Sequence, residues 1–194
     1  MAASESPHRF DAEHPFHQLD ETLIYQGYVI GLYTTKWINE AGEEFERDVV
    51  RHRGAVAIVP VVDGGEAVLL VRQFRVASNS FMLELPAGLR DVEGEPEIET
   101  ARRELQEEVG HVAGRIELLS SMKTAVGFAD ETIHVFLATD LTETQTAYEG
   151  IEEQIMTTVK VRFDDVDAMI ASGELTDAKT IAGLLLARTR LAAG

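Results

Sequence analysis

The spacing of apolar residues changes period along the chain, and each change marks a different kind of element. Residues 1–16 contain Pro7 and Pro15 and follow no period, so they read as a polar tail. From Leu23 the run LIYQGYVIGLYTTKWI is rich in β-branched and aromatic side chains. NEAGEEF then supplies a turn and FERDVVRH resumes the alternation, which predicts a small antiparallel meander over 17–52. Residues 55–62, AVAIVPVV, are almost unbroken apolar; such a run needs apolar neighbours on both faces, so it predicts a buried strand that returns through DGGE into AVLLVRQF as a hairpin. After Leu85, PAGLRDVEGEP reads as a loop, and EIETARRELQEEV carries a helical period that stops at Gly110. Strand patterns follow over about 115–121 and 132–138. TDLTETQTAYEGIEEQ is an acidic loop without periodicity, and IMTTVKVRF is strand-like again. Asp164 opens a short helix that ends at Ser172 and Gly173, and Asp177 caps a last helix running through IAGLLLARTRL.

Size and composition narrow this picture. With 194 residues, of which 45% are hydrophobic and 26% charged, the chain holds one folded domain plus a small appendage; the expected division is a tail at 1–16, the meander at 17–52 and the main domain at 53–194. No apolar run reaches the ~18 residues of a membrane-spanning helix, and MAASESPHRFDAEHPF lacks the apolar core of a secretory signal. The expectation is a soluble, cytoplasmic protein without a membrane partner. Zero cysteine removes disulfides, thiolate metal sites and a cysteine nucleophile together, so any metal would be a hard one held by oxygen. A net charge of -17 repels a polyanion and argues against nucleic acid as a partner. Small phosphorylated ligands stay compatible, because carboxylates that bind a divalent cation reverse the local sign.

The acidic residues do cluster. At about 100° per residue, Ile98, Ala101, Leu105 and Val109 form one apolar stripe of the helix, and Glu104, Glu107 and Glu108 fan out beside it. Glu104 and Glu108 are a like-charge i,i+4 pair, which local electrostatics disfavours; among the nearby arginines only Arg103 pairs well, with Glu107. A divalent cation would favour this arrangement, and a solvated acidic face is the other reading of the same residues. His52, His111 and His134 lie too far apart to suggest a zinc triad, Trp37 reads as a packing residue, and GLRDVEG lacks the Lys and Ser/Thr of a phosphate-binding P-loop.

Gly88, Glu95 and the run Arg103-Glu104-Leu105-Gln106-Glu107-Glu108-Val109-Gly110 resemble the Nudix box. From Glu95 to Gly110 every fixed position and spacing matches. Six residues rather than five separate Gly88 from Glu95, and His111 stands where an apolar residue is usual. The flanks GAVAIVPV, VRQFR, LELPAG and TAVGFADE resemble the ADP-ribose pyrophosphatase branch of the Nudix hydrolases. The resemblance implies an α/β fold, a Nudix-type α/β/α sandwich with a mixed sheet, plus a small N-terminal antiparallel β domain that pairs two subunits as a homodimer. It implies Mg²⁺, with Mn²⁺ as a substitute, bound by Glu104 and Glu108 with the carbonyl of Ala87, Glu107 in a supporting place and Arg103 orienting the carboxylates.

The implied reaction is hydrolysis of the pyrophosphate bond of ADP-ribose to AMP and ribose 5-phosphate, or of a related nucleoside diphosphate sugar. In this branch the base comes from a loop after the box, which here offers Glu149, Glu152 and Glu153; the resemblance favours Glu153, then Glu152. It further suggests Arg75 for the phosphates, Arg47 for the adenosine part, and Glu84 for ribose or the metal loop. A surface ion pair is the other reading of either arginine, and a plain strand acid that of Glu84. The branch usually has proline sixteen residues after the second glycine of the box, where this chain has Val126, so the ligand preference is open to another nucleotide sugar or a dinucleotide. A non-catalytic Nudix module that senses such a ligand is the alternative of another class.

Overall fold

The structure is a computed structural model that describes residues 15–146 and 155–193. They fall into two units, the first made of the described part of Met1–His52 with Gly127–Ala129, and the second of Arg53–Val126 with the described part of Asp130–Gly194.

The first unit is a three-stranded antiparallel sheet in the order β1 (Phe16–Gln26), β2 (Ile30–Asn39), β3 (Glu44–His52). β1 begins at Phe16, well ahead of the Leu23 expected from the pattern. The reason is visible in its pairing: register shifts at Gln18/Asp20 and Leu23/Tyr25 each change which face the next side chain points to, so the bulged strand carries no regular sequence alternation. The apparently single run from Leu23 to Ile38 is split by a tight turn in which the Gly27 N–H donates to the Ile30 carbonyl at 2.8 Å. Trp37 has a structural hydrogen bond, its Nε1–H donating to Oγ1 of the fully buried Thr35 at 2.9 Å. Gly127–Ala129 adds a short edge to β3, with the Val50 N–H donating to the Phe128 carbonyl at 2.7 Å.

The second unit contains β4 (Ala55–Val62), β5 (Ala67–Arg75), β6 (Ser80–Glu84), β7 (Ala87–Leu89), α1 (Glu97–Val109), β8 (His111–Lys123), β9 (Thr132–Glu143), β10 (Thr157–Arg162), α2 (Val166–Ser172) and α3 (Ala178–Ala192). Its sheet runs β10-β5-β4-β9-β8, with β6 on β5 and β7 on β4; β4 and β9 are parallel and the other pairs antiparallel, so the sheet is mixed. The continuous apolar run of β4 follows from its place between two cores. Ala57, Val59 and Val61 pack with Leu184 and Ala187 of α3 and Val166 of α2, whereas Val56 and Ile58 pack with Ala101, Leu105 and Val109 of α1. Helices thus cover both faces, which makes an α/β/α sandwich.

Two readings need correction, and a third holds with a short pairing. PAGL is not wholly loop, because Ala87–Leu89 pairs with β4 through Ala55, Val56 and Ala57. β8 and β9 run longer than the pattern suggested, since their ends alternate with exposed polar residues and β8 carries a bulge at Leu118/Ser120. The β4–β5 hairpin forms, but it pairs only Val61 and Val62 with Val68 and Ala67; β6 pairs with β5 from Val71 to Arg75, and β10 pairs with it from Ala67 to Arg72. No described helix is long and apolar enough to cross a membrane.

Candidate active site

Helix α1 stops where its sequence says it should. Gly110 takes φ 66°, ψ 40°, a left-handed C-cap that glycine adopts at little cost, and its N–H donates to the Gln106 carbonyl at 3.0 Å. The apolar stripe Ala101, Leu105 and Val109 anchors the helix on the sheet. Two of the three clustered acids go down with it: Glu104 is 9% exposed and Glu108 5%. They are not a solvated face.

Both carboxylates meet β7. An oxygen of Glu108 accepts a hydrogen bond from the Ala87 N–H at 2.9 Å. At Gly88 a Cβ would fall 1.9 Å from Glu104 Cδ and 2.0 Å from its Oε1, so the missing side chain is the space the carboxylate occupies. The demand on Gly88 is therefore one of volume rather than of backbone conformation. Arg103 donates from Nη1 to Glu104 at 2.8 Å and to Glu107 at 2.9 Å, and its Nη2 lies 3.5 Å from Glu95 and 3.7 Å from Asp91. Burial disfavours its charge, but Glu104 and Glu107 more than offset this and hold the guanidinium pKa above its usual value.

Among the described residues no three His, Asp or Glu side chains are grouped to hold a metal ion. The donor set is instead two buried carboxylates one helical turn apart, with the backbone of Ala87 and Gly88 beside them. Such a set suits Mg²⁺, which is usually held by one or two carboxylates and keeps other positions for water and substrate phosphate oxygens. Glu107 is already engaged by Arg103.

A second charged cluster has formed around Glu84, 2% exposed, whose register partner Val71 belongs to the core under α1. Arg75 grips it in a fork, Nε to Oε1 and Nη2 to Oε2 at 2.8 Å each. Lys179 Nζ donates to the same Oε2 and, at 2.9 Å, to Asp177. Burial pushes the Glu84 carboxyl up, yet the Arg75 hydrogen bonds and the Lys179 charge prevail and keep it below the usual carboxylate range. The Glu84 hydrogen bond raises the Arg75 pKa against burial, with smaller contributions from Glu108 and Asp177. Two of the three Arg75 nitrogens are thus committed to Glu84, leaving Nη1 for an external anion. Sequence reasoning missed Lys179 altogether. Its only local signal is its position two residues after the helix cap Asp177, which says nothing of a partner 95 residues away.

The other predicted residues fall elsewhere. Arg47 lies in β3 of the first unit, donating to the Glu46 carbonyl at 2.7 Å with its guanidinium 4.9 Å from the Phe45 ring centroid. Glu149, Glu152 and Glu153 are outside the described residues. Val126 is 77% exposed. The ring nitrogens of His111 and His134 contact the Val109 carbonyl and Ser121 Oγ, both at 2.8 Å.

A family model described as the NUDIX domain matches residues 51–184, from the end of β3 into α3. The chain belongs to the Nudix family. It is 38% identical over 157 residues to the ADP-ribose pyrophosphatase of Bacillus subtilis (strain 168), covering 81% of this chain and 84% of that one. It is also 38% identical over 174 residues to the ADP-ribose pyrophosphatase of Mycobacterium tuberculosis (strain ATCC 25618 / H37Rv), covering 90% and 84%. A crystal structure of an ADP compounds hydrolase superposes with a TM-score of 0.78 at 25% identity, covering 93% of this chain and 96% of the other. The Nudix match includes the box on α1, the β7 backbone beside it and the Glu84–Lys179 cluster.

Proposed function

We propose that this Nudix protein is a cytoplasmic, homodimeric pyrophosphohydrolase that cleaves the diphosphate of ADP-ribose into AMP and ribose 5-phosphate, using Mg²⁺ with Mn²⁺ as a substitute. The observation that carries this reading is the burial of Glu104 and Glu108 against the backbone of Ala87 and Gly88. Arg103 bonds to Glu104 and the Ala87 N–H to Glu108, and two carboxylates one helical turn apart beside the β7 backbone form an oxygen donor set of the kind that holds a divalent cation. The resemblance at 38% identity to two ADP-ribose pyrophosphatases supports the substrate.

In this reading Glu104, Glu108 and the Ala87 carbonyl hold the cation, Glu107 stands in reserve, and Arg103 keeps the carboxylates oriented through its bonds to Glu104 and Glu107. When bound, the cation neutralises the diphosphate oxygens and lowers the cost of negative charge on the departing group. Arg75 offers Nη1 to a phosphate while Glu84 steadies its fork. Glu153, with Glu152 as the second choice, takes a proton from water as the water oxygen bonds to one phosphorus and the bridging P–O bond breaks. Two monophosphates leave.

A related nucleoside diphosphate sugar or a dinucleotide is the second reading, supported by Val126 where the branch usually has proline. Incubating the protein with Mg²⁺ and a panel of ADP-ribose, other nucleotide sugars, dinucleotides and nucleoside triphosphates separates these. The expected result is AMP from ADP-ribose at the highest kcat/KM, abolished by EDTA. Product from a different diphosphate would move the substrate assignment, and binding without product from any compound would make the protein a ligand-sensing module.

A further inference from the structure

We infer that Lys179 is a positioning residue for substrate binding: its charge balances Glu84 and Asp177 so that the charge of Arg75 remains available to a substrate phosphate. The inference rests on the diphosphate-hydrolase reading above and assigns a role to a residue outside the box. Four charged groups form one cluster, the acids Glu84 and Asp177 and the bases Arg75 and Lys179, joined by the Arg75 fork and the two Lys179 bonds. With all four in place the cluster is electrically balanced. The Lys179 side chain is only 11% exposed, so solvent does little to screen it. The charge of Glu108 is felt at Arg75, which puts the cluster within electrostatic reach of the box carboxylates.

The backbone adds a mechanical tie. Asp177 caps α3 by accepting from the Thr180 N–H at 2.9 Å and from its Oγ1–H at 2.6 Å. Thr180 Oγ1 in turn accepts from the Leu85 N–H at 2.8 Å. The next carbonyl, Pro86, accepts from the Ile58 N–H at 2.9 Å, and the Ala87 N–H goes to Glu108. The segment from Glu84 to Ala87 is therefore held from α3, β4 and α1 together. Removing the Lys179 charge leaves Glu84 and Asp177 sharing one arginine, and the surplus negative charge then faces an incoming diphosphate. Removing the Asp177 charge does the reverse, and asparagine caps a helix about as well as aspartate.

Charge compensation tests this with ADP-ribose at saturating Mg²⁺. Lys179→Met is expected to raise KM about tenfold with kcat within about threefold, the scale of one unit charge at this range in a partly buried site. Asp177→Asn should lower KM, and the double variant, which restores the balance, should bring KM back toward that of the parent protein. A purely structural lysine would lower the melting temperature without this ordering of KM. Unchanged KM in both single variants, or a double variant as impaired as Lys179→Met, would overturn the inference while leaving the hydrolase reading intact. If Lys179→Met does not fold, Asp177→Asn decides alone: a lower KM supports the role and an unchanged one refutes it. A parent protein that cleaves no diphosphate would overturn the hydrolase reading, and this one with it.

Discussion

The three-stranded sheet and the sandwich solve the problem of apolar surface in opposite ways. Among the described residues every buried apolar side chain lies at Ala55 or beyond it, in the second unit. In the first unit Leu19, Leu23, Ile24 and Tyr25 of β1 are all exposed. Its strands are held by their ladder hydrogen bonds and by exposed ion pairs such as Arg51–Glu21 at 2.6 Å and Lys36–Glu46 at 3.3 Å. Pairs of that kind contribute about 0–1 kcal/mol each, and a small sheet needs an apolar face packed on something to be stable. The sandwich has two cores of its own and can therefore carry the burden of two desolvated carboxylates on α1. The sheet of the first unit has apolar surface to offer, and the proposed homodimer would use it.

Substitutions can sharpen the contrast. The largest effect is expected at the box: Glu108→Gln keeps an acceptor for the Ala87 N–H but loses a charged oxygen. Changing even an outer partner of a metal site costs about 10–100-fold, so steady-state turnover should fall at least about a hundredfold while the melting temperature is maintained. Activity within a few fold of the parent would remove Glu108 from the site. Next comes Leu105→Ala, which empties a fully buried position between α1 and the sheet and should cost about 2–5 kcal/mol in urea unfolding. A loss below about 1 kcal/mol would mean that the α1 core is not the main support of the sandwich. The smallest effect on folding is expected for Leu23→Ser in β1, within about 0.5 kcal/mol because the side chain is exposed. Light scattering should nonetheless report a shift from dimer to monomer, and an unchanged mass would exclude this face of the sheet from the dimer contact.

Legibility in the sequence followed the range of the interaction. The span of α1, its stop at Gly110 and the shared flank of Glu104 and Glu108 all follow from contacts within about one helical turn, where spacing alone specifies geometry. The two-sided burial of β4 was legible for a similar reason, since an unbroken apolar run has few other uses. β1 was only partly legible, because its bulges erase the alternation that marks a strand. β7 was not, because three residues of PAGL carry no period and become a strand only where β4 lies alongside.

What the sequence determined by itself was therefore local: which residues are helical, where the carboxylates fall on the helix, and which strand is buried on both sides. Tertiary structure alone decided that Gly88 is the space for Glu104, that the Arg75 fork belongs to Glu84, and that Lys179 reaches the same carboxylate from α3. Those contacts join residues far apart in the chain, and a periodicity decays within a few residues whereas packing and charge act through space. Only the fold brings the ends of such pairs within hydrogen-bonding distance.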